Sequence, residues 1–207
     1  MSEEEPRRRP NRREVAAAAT REEIVRAARR LFTTKGYAAT TINQIAEEAG
    51  VAVQTVYSSV GGKPALVLAL NDLIDAESGV GPLAAEIAQT RDPGVVLTNG
   101  VRLTRQINER CGDIVRVLLA AEPSNAEVAA AVREGMQRHR GGAELFGHRL
   151  AELGALGPGT SAEEAATTYA VMTSPDNWRQ LTQDFGWSHD KAEAWLIESL
   201  TTLLLHH

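Results

Sequence analysis

The chain has 207 residues, of which 43% are apolar, 24% charged and 4% aromatic. These proportions are those of an ordinary globular protein, and no apolar run reaches the roughly 18 residues of a membrane span. Cys111 is the single cysteine, so no intrachain disulfide can form, and a cytoplasmic location is expected. The charged amino terminus lacks the apolar segment of a secretory signal.

The formal net charge of −5 is unevenly distributed. Residues 1–66 hold 11 Lys and Arg against 8 Asp and Glu, whereas residues 67–207 hold 11 against 19. A basic amino-terminal part on an acidic body is typical of a protein whose amino-terminal end meets a polyanion. The alternative is that the charges are unevenly distributed along the chain by chance.

The amino-terminal elements follow from local signals. Residues 1–13, which are rich in arginine and contain two prolines, predict a disordered basic arm. Helical signals begin at Glu14, and one apolar helix face precedes Gly36, which tolerates a positive φ and ends the helix. That face consists of Ile24, Ala27, Ala28, Leu31 and Phe32.

Residues 41–60 predict two short helices joined at Gly50–Val51. Thr41 and Gln44 have the spacing of a capping box, which starts the first of them. The second covers about Ala52 to Ser59. This arrangement is a helix-turn-helix, whose second helix enters the major groove of DNA. A fourth helix follows Gly61–Gly62, with Pro64 in its first turn.

The remaining sequence predicts helices only, since no alternating, β-branched run indicates a strand. These helices cover about 83–90, 94–110, 113–121, 125–153, 161–173, 176–185 and 189–205. The predicted fold class is therefore all-α.

A resemblance to the TetR/AcrR family of bacterial repressors lies in the spacing of residues 40–66. The matching residues are Thr40, Thr41, Ile42, Ile45, Ala46, Ala49, Gly50, Val51, Thr55, Val56, Tyr57, Lys63 and Leu66. The stretch from Ile24 to Tyr37 is similar to that family's first helix, and residues 173–179 and 186–188 resemble a weaker carboxy-terminal pattern.

The resemblance implies a domain organisation and a function. A helix-turn-helix DNA-binding domain at 14–63 would precede a helical effector-binding and dimerisation domain at 64–207, with helix 64–78 linking the two. The chain would be a homodimeric repressor, released from a near-palindromic double-stranded operator by a small-molecule effector. The long helices 125–153 and 189–205 would form the dimer interface.

The implied DNA contacts fall on the helix-turn-helix and the start of the fourth helix. They are Thr41, Val53, Gln54, Thr55, Tyr57, Ser58, Ser59 and Lys63. Gln pairs with adenine and a Thr methyl meets thymine, while Thr41, Tyr57 and Lys63 would hold phosphates. Ala52 departs from the family pattern, which often has Ser there. The arm arginines either grip DNA or only solubilise the chain.

The effector pocket would lie between the middle helices and residues 161–185. Its predicted lining residues are Arg105, Met136, Tyr169, Met172 and Trp178, although each could equally be an ordinary core or surface residue. The alternative is a ligand-independent DNA-binding protein whose second domain only dimerises or binds a protein partner. An accessible apolar cavity would favour the sensor, and a filled core the alternative.

Enzyme chemistry is not indicated by the sequence. No GxSxG, Walker or Rossmann motif is present. His139 and His148 are nine residues apart, which is not metal-ligand spacing on one helix face, and Cys111 has no nearby histidine. We therefore expect no catalytic activity, no metal and no cofactor.

Overall fold

The computed structural model describes residues 11–206, which divide into two compact units at Leu70–Asn71. The first unit contains α1 (Arg12–Lys35), α2 (Ile42–Glu48), α3 (Val53–Ser59) and the first half of α4 (Lys63–Ser78). The division falls inside α4 and not at its start, because the buried Leu66, Val67 and Leu70 belong with the first unit.

Helix α1 begins two residues before the predicted start at Glu14. The side chain of Asn11 accepts hydrogen bonds from Arg13 N and Glu14 N, and the Glu14 carboxylate accepts from Asn11 N at 2.8 Å. This reciprocal cap takes Arg12 and Arg13 out of the predicted arm and into the helix. Residues 1–10 of that arm lie outside the described residues.

The helix-turn-helix is held by local backbone bonds. Gly50 follows α2 with φ of 66°, and its N–H donates to Glu47 O while Val51 N–H donates to Ala46 O. These two bonds satisfy carbonyls at the end of α2 and turn the chain toward α3. The first unit's core contains the predicted face of α1 together with buried Ile45, Ala46 and Val56.

The regular secondary structure of the second unit's described part consists of helices. Its helices are the end of α4, then α5 (Gly81–Gln89), α6 (Pro93–Ala121), α7 (Ala126–Glu152), α8 (Ala162–Met172), α9 (Pro175–Arg179) and α10 (His189–Leu204). A 3-10 turn covers Glu122–Ser124 and a π-helical turn covers Gln180–Asp184. Among residues 11–206 no strand forms, and an isolated bridge joins Leu156 and Leu205. The all-α prediction is confirmed.

Helix α6 corrects the predicted break between residues 110 and 113. It continues through Cys111 and Gly112, both of which are buried. A helical glycine costs about 1 kcal/mol relative to alanine, a small cost beside the packing of an amphipathic face. No proline interrupts α6 after its first residue. The predicted break was therefore wrong.

Helices α7 and α8 pack tightly against each other at Gly147. A Cβ there would overlap the carbonyl oxygen of Ala162 and lie 2.9 Å from Ala166 N. The absence of a side chain at Gly147 lets the two helices touch backbone to backbone. Around this contact the core of the second unit includes Val96, Val101, Phe146, Leu150, Ala165, Tyr169, Trp178, Leu196 and Leu200.

Candidate DNA-binding surface and ligand cavity

Helix α3 has one exposed face. Val53, Gln54, Tyr57 and Ser58 are exposed, while Val56 on the opposite side is fully buried. Tyr57 keeps 52% of its surface accessible, which is unusual for an aromatic residue on a helix otherwise anchored in a core. The arrangement leaves a short row of side chains able to meet a groove edge.

The other predicted residues of α3 lie at the border of this face. Thr55 and Ser59 are half-buried. The carbonyl of Ser59 accepts a hydrogen bond from Arg21 Nη1 at 2.8 Å, which ties α3 to α1, and the Ser58 hydroxyl donates to Thr55 O. Ala52, the residue before α3, makes no side-chain cap.

Thr41 is exposed and caps α2. Its hydroxyl oxygen accepts from Gln44 N at 3.3 Å, and the Gln44 side chain accepts from Thr41 N at 3.0 Å. Both sides of the predicted capping box are therefore present. The hydroxyl hydrogen of Thr41 can still donate to an acceptor from outside.

Lys63 occupies a different environment from a solvated lysine. Its ammonium donates to Tyr37 O at 2.5 Å and to Ala38 O at 3.4 Å, and it lies 4.3 Å from the centre of the Tyr37 ring. Desolvation by burial lowers the pKa of Lys63. The side chain thus fastens the start of α4 to the loop between α1 and α2.

Two further side chains hold the first unit together, and sequence reasoning missed their roles. The buried hydroxyl of Thr40 donates to Leu31 O and Gly36 O, closing the loop after α1. Arg30 bridges Glu23 and Glu48, and the hydrogen bond to Glu48 raises the pKa of Arg30. Thr40 stands in the motif, but its spacing alone does not separate a buried hydroxyl from an exposed one.

The second unit encloses a cavity of about 640 Å³. Its wall is formed by the end of α4, by α5, α6 and α7, and by Tyr169, Thr173 and Pro175. Apolar side chains line most of it, including Ile74, Leu103, Ile107, Leu118, Val132, Met136 and Phe146. This size is within the range of about 300–1,000 Å³ found for small-molecule sites.

The centre of the cavity wall is a stacked aromatic pair. The rings of Phe146 and Tyr169 lie 4.2 Å apart. The Tyr169 hydroxyl donates to Gly100 O at 2.7 Å, and burial raises the pKa of its phenol. A Cβ on Gly100 would stand 3.1–3.2 Å from both rings, so glycine leaves room for the pair beside α6.

The sequence match decides the identity of the first unit. Residues 24–70 match the family described as bacterial regulatory proteins, tetR family. The amino-terminal domain belongs to the TetR family. Among curated proteins, none matches this sequence.

The fold of the whole chain is similar to that of several solved regulators. A transcriptional regulator from Saccharomonospora viridis in complex with choline has a TM-score of 0.75 at 19% identity, covering 92% of this chain and 100% of its own. A TetR-family regulator from Mesorhizobium loti has a TM-score of 0.70 at 20% identity, covering 95% of this chain and 100% of its own. The regulator FadR from Bacillus subtilis in complex with stearoyl-CoA has a TM-score of 0.68 at 15% identity, covering 86% of this chain and 96% of its own. At these identities the similarity shows the fold.

The structure brings two of the five predicted pocket residues to the cavity, Met136 and Tyr169. Arg105 lies outside the lining, in ion pairs with Glu193 at 2.6 Å and Asp190 at 2.7 Å, and the hydrogen bond to Glu193 raises its pKa. An arginine so fully paired is a link between α6 and α10.

The other two predicted residues also lie elsewhere. Trp178 is buried in the core, where its indole N–H donates to His189 Nδ1 at 3.1 Å. Met172 is half-buried and packs against the same core. Sequence reasoning instead missed Gly100, Thr104 and Phe146 on the wall, because a helical pattern does not say which side of a buried face borders a void.

No helix within residues 11–206 has the length and apolar character to cross a membrane. In the same part of the chain, no group of three or more His, Cys, Asp or Glu side chains has the arrangement to hold a metal ion.

Proposed function

We propose that this chain is a homodimeric transcriptional repressor that binds a specific operator and leaves it when a small molecule occupies the cavity. The observation that carries the proposal is the exposed face of α3, formed by Val53, Gln54, Tyr57 and Ser58, in a TetR-family domain. Gln54 would read adenine in the major groove, and the apolar Val53 would meet a thymine methyl.

The phosphate contacts belong to residues around that face. The phenol of Tyr57 would donate a hydrogen bond to a phosphate. The hydroxyl of Thr41 would donate to another, because in the cap its oxygen only accepts. Two of the three N–H groups of Lys63 go to backbone carbonyls, so the third would donate to a phosphate. Lys63 therefore has two roles, since it also holds the loop on which α2 begins.

The proposed dimer interface combines the predicted helices 125–153 and 189–205 with the segment between them. Helix α7 lines the cavity and packs on α8, and half of its exposed residues are charged, but it also carries Leu145, which is 73% exposed. In α8 to α10, Val171, Phe185 and Leu203 are apolar and 65%, 70% and 58% exposed. Large exposed apolar residues that lie together on a surface mark an interaction site. A two-fold pair of such surfaces would present two α3 helices to two half-sites.

The cavity favours the sensor over a domain that only dimerises. A filled core would have supported the alternative, whereas 640 Å³ of apolar space accommodates a ligand. The choline and stearoyl-CoA complexes of similarly folded regulators support a small-molecule site in this fold. Helix α4 carries both Lys63 and the cavity residues Asn71 and Ile74, so a ligand would shift the populations of DNA-binding and released forms through it. No catalytic step is part of this proposal.

The experiment is a DNA-binding titration on the fragment upstream of the chain's own gene, beside scrambled DNA of equal length, at several salt concentrations. We expect preference for the upstream fragment, with a linear fall of the logarithm of affinity against the logarithm of salt concentration. Tyr57→Ala should abolish the preference and leave thermal stability nearly unchanged, because the side chain is half exposed.

The matched control is Val15→Ala, since Val15 is 54% exposed but lies on α1, away from the proposed surface. It should bind as the unmodified chain does. If Tyr57→Ala retains full preference for the fragment, or both variants lose it equally, α3 is not the reading helix.

A further inference from the structure

The polar atoms on the α6 side of the cavity are already paired inside the protein. The Tyr169 hydroxyl donates to Gly100 O, and Thr104 Oγ1 lies 3.4 Å from the same hydroxyl. The side chain of Asn108 donates to Thr104 O at 2.9 Å. The Thr173 hydroxyl donates to Tyr169 O at 2.8 Å. These bonds leave the ligand a wall whose polar groups are largely satisfied.

The two arginines of the wall are paired as well. Arg149 donates from Nη1 to Glu152 at 3.0 Å and from Nη2 to Thr90 O at 2.6 Å. Its Nε is buried and has no hydrogen-bond partner among the described residues. Arg138 lies 3.3 Å from Glu134 and 4.0 Å from Asp75.

The remaining polar groups of the wall include His139 and Tyr169. His139 Nε2 lies 3.0 Å from Ala170 O, and a carbonyl can only accept, so this nitrogen donates the hydrogen. Tyr169 stays neutral, because burial raises the pKa of its phenol. The lining arginines Arg138 and Arg149 are matched in number by the lining carboxylates Asp75 and Glu152.

An ion that enters such a cavity loses its hydration and meets no uncompensated opposite charge, which is costly. An uncharged apolar molecule loses little and gains contact with the wall. We propose that the cavity takes an uncharged, largely apolar molecule and selects against ions of either sign. This inference rests on the proposed sensor function and specifies the chemical class of its effector.

The test uses three probes with one ten-carbon chain and different head groups: decan-1-ol, decanoate and decylammonium. At pH 7.5 the carboxyl and amino groups are ionised and the alcohol is neutral. Isothermal titration calorimetry on the full chain should show decan-1-ol binding at least about tenfold more tightly than either ion. An affinity of either ion within tenfold of that of decan-1-ol, or no binding of decan-1-ol, would overturn the proposal.

A charge placed in the wall should reverse the preference. Met136 lines the cavity, so Met136→Lys adds a cation without a carboxylate partner. We expect decanoate affinity to rise at least about tenfold and decan-1-ol affinity to fall. Gln137→Lys is the matched control, because it adds the same charge one residue along α7 at an exposed position outside the lining, and it should change neither affinity. Equal effects of the two variants would refute the assignment to the cavity.

Failure of this inference and failure of the repressor proposal give different results. The repressor proposal fails when the chain does not distinguish the upstream fragment from scrambled DNA, a measurement made without any probe. The ligand inference fails on the order of the three probe affinities, a measurement made without DNA.

Discussion

Replacing Gly147 by alanine should destabilise the protein, although glycine is a poor helix former. The new Cβ would overlap the Ala162 carbonyl oxygen and lie 3.1 Å from the Ala166 Cβ, in addition to its approach to Ala166 N. Two of these three neighbours are backbone atoms of α8, which cannot rotate away as a side-chain tip can. Relief therefore requires moving one helix relative to the other.

The magnitude follows from two opposing effects. Overpacking of a tight contact costs about 1–3 kcal/mol. Alanine in a helix interior recovers about 1 kcal/mol relative to glycine. Because the contact atoms are backbone, the upper part of the overpacking range applies, and the net loss in the free energy of unfolding should be about 1–2 kcal/mol.

Gly141→Ala is the matched control on the same helix. Nothing lies within 4 Å of a Cβ built there, and Gly141 is not part of the cavity lining. The helix-propensity effect then acts alone, and the free energy of unfolding should rise by about 0.5–1 kcal/mol. Urea denaturation at one fixed protein concentration measures both variants, since the stability of the proposed dimer would depend on concentration. Two variants that shift the midpoint in the same direction would refute the reasoning.

Four further outcomes are expected. Ala52→Ser should stabilise by about 1 kcal/mol in urea denaturation, because the residue before α3 lacks a side-chain cap. Asn99→Leu should raise the melting temperature, because Asn99 is buried and its Nδ2 has no partner among the described residues. Val171→Glu should dissociate the dimer in sedimentation velocity, because it places a charge in the proposed apolar interface. Folding lowers the pKa of Lys63 below its usual 10.5, so between the two values the unfolded chain binds a proton that the folded chain does not. The free energy of unfolding should therefore rise with pH in that window. Lys63→Met should remove this rise from denaturation measured at a series of pH values.

Each of these four outcomes can fail in a distinct way. If Ala52→Ser has no effect, the amide groups in the first turn of α3 find hydrogen-bond acceptors other than a capping side chain. A drop in melting temperature for Asn99→Leu would mean that the amide has a partner, such as water. An intact dimer with Val171→Glu would move the interface elsewhere, and an unchanged pH profile in Lys63→Met would assign the slope to other groups.

The helix-turn-helix was predictable from the sequence because its determinants are local. Thr41 caps α2 through a side chain that reaches only three residues along the chain. Gly50 adopts the positive φ that the turn needs, and the buried face of α1 follows from helical spacing. The family signature covers this same region, so pattern and local chemistry agree there.

Only the tertiary structure decided how the helices of the second domain pack and where its cavity lies. The continuity of α6 through Gly112, the pairing of Arg105 with α10 and the position of Trp178 in the core all depend on which helices meet. The cavity is a void between helices, so its lining follows from how those helices pack. The apolar pattern of a helix is the same whether a face packs on another helix or borders a void. Sequence by itself determined the helix-turn-helix of this protein, since its caps and its turn arise within a few residues. The packing of distant helices determined the continuity of α6 and the cavity, since both depend on contacts that the order of residues does not specify.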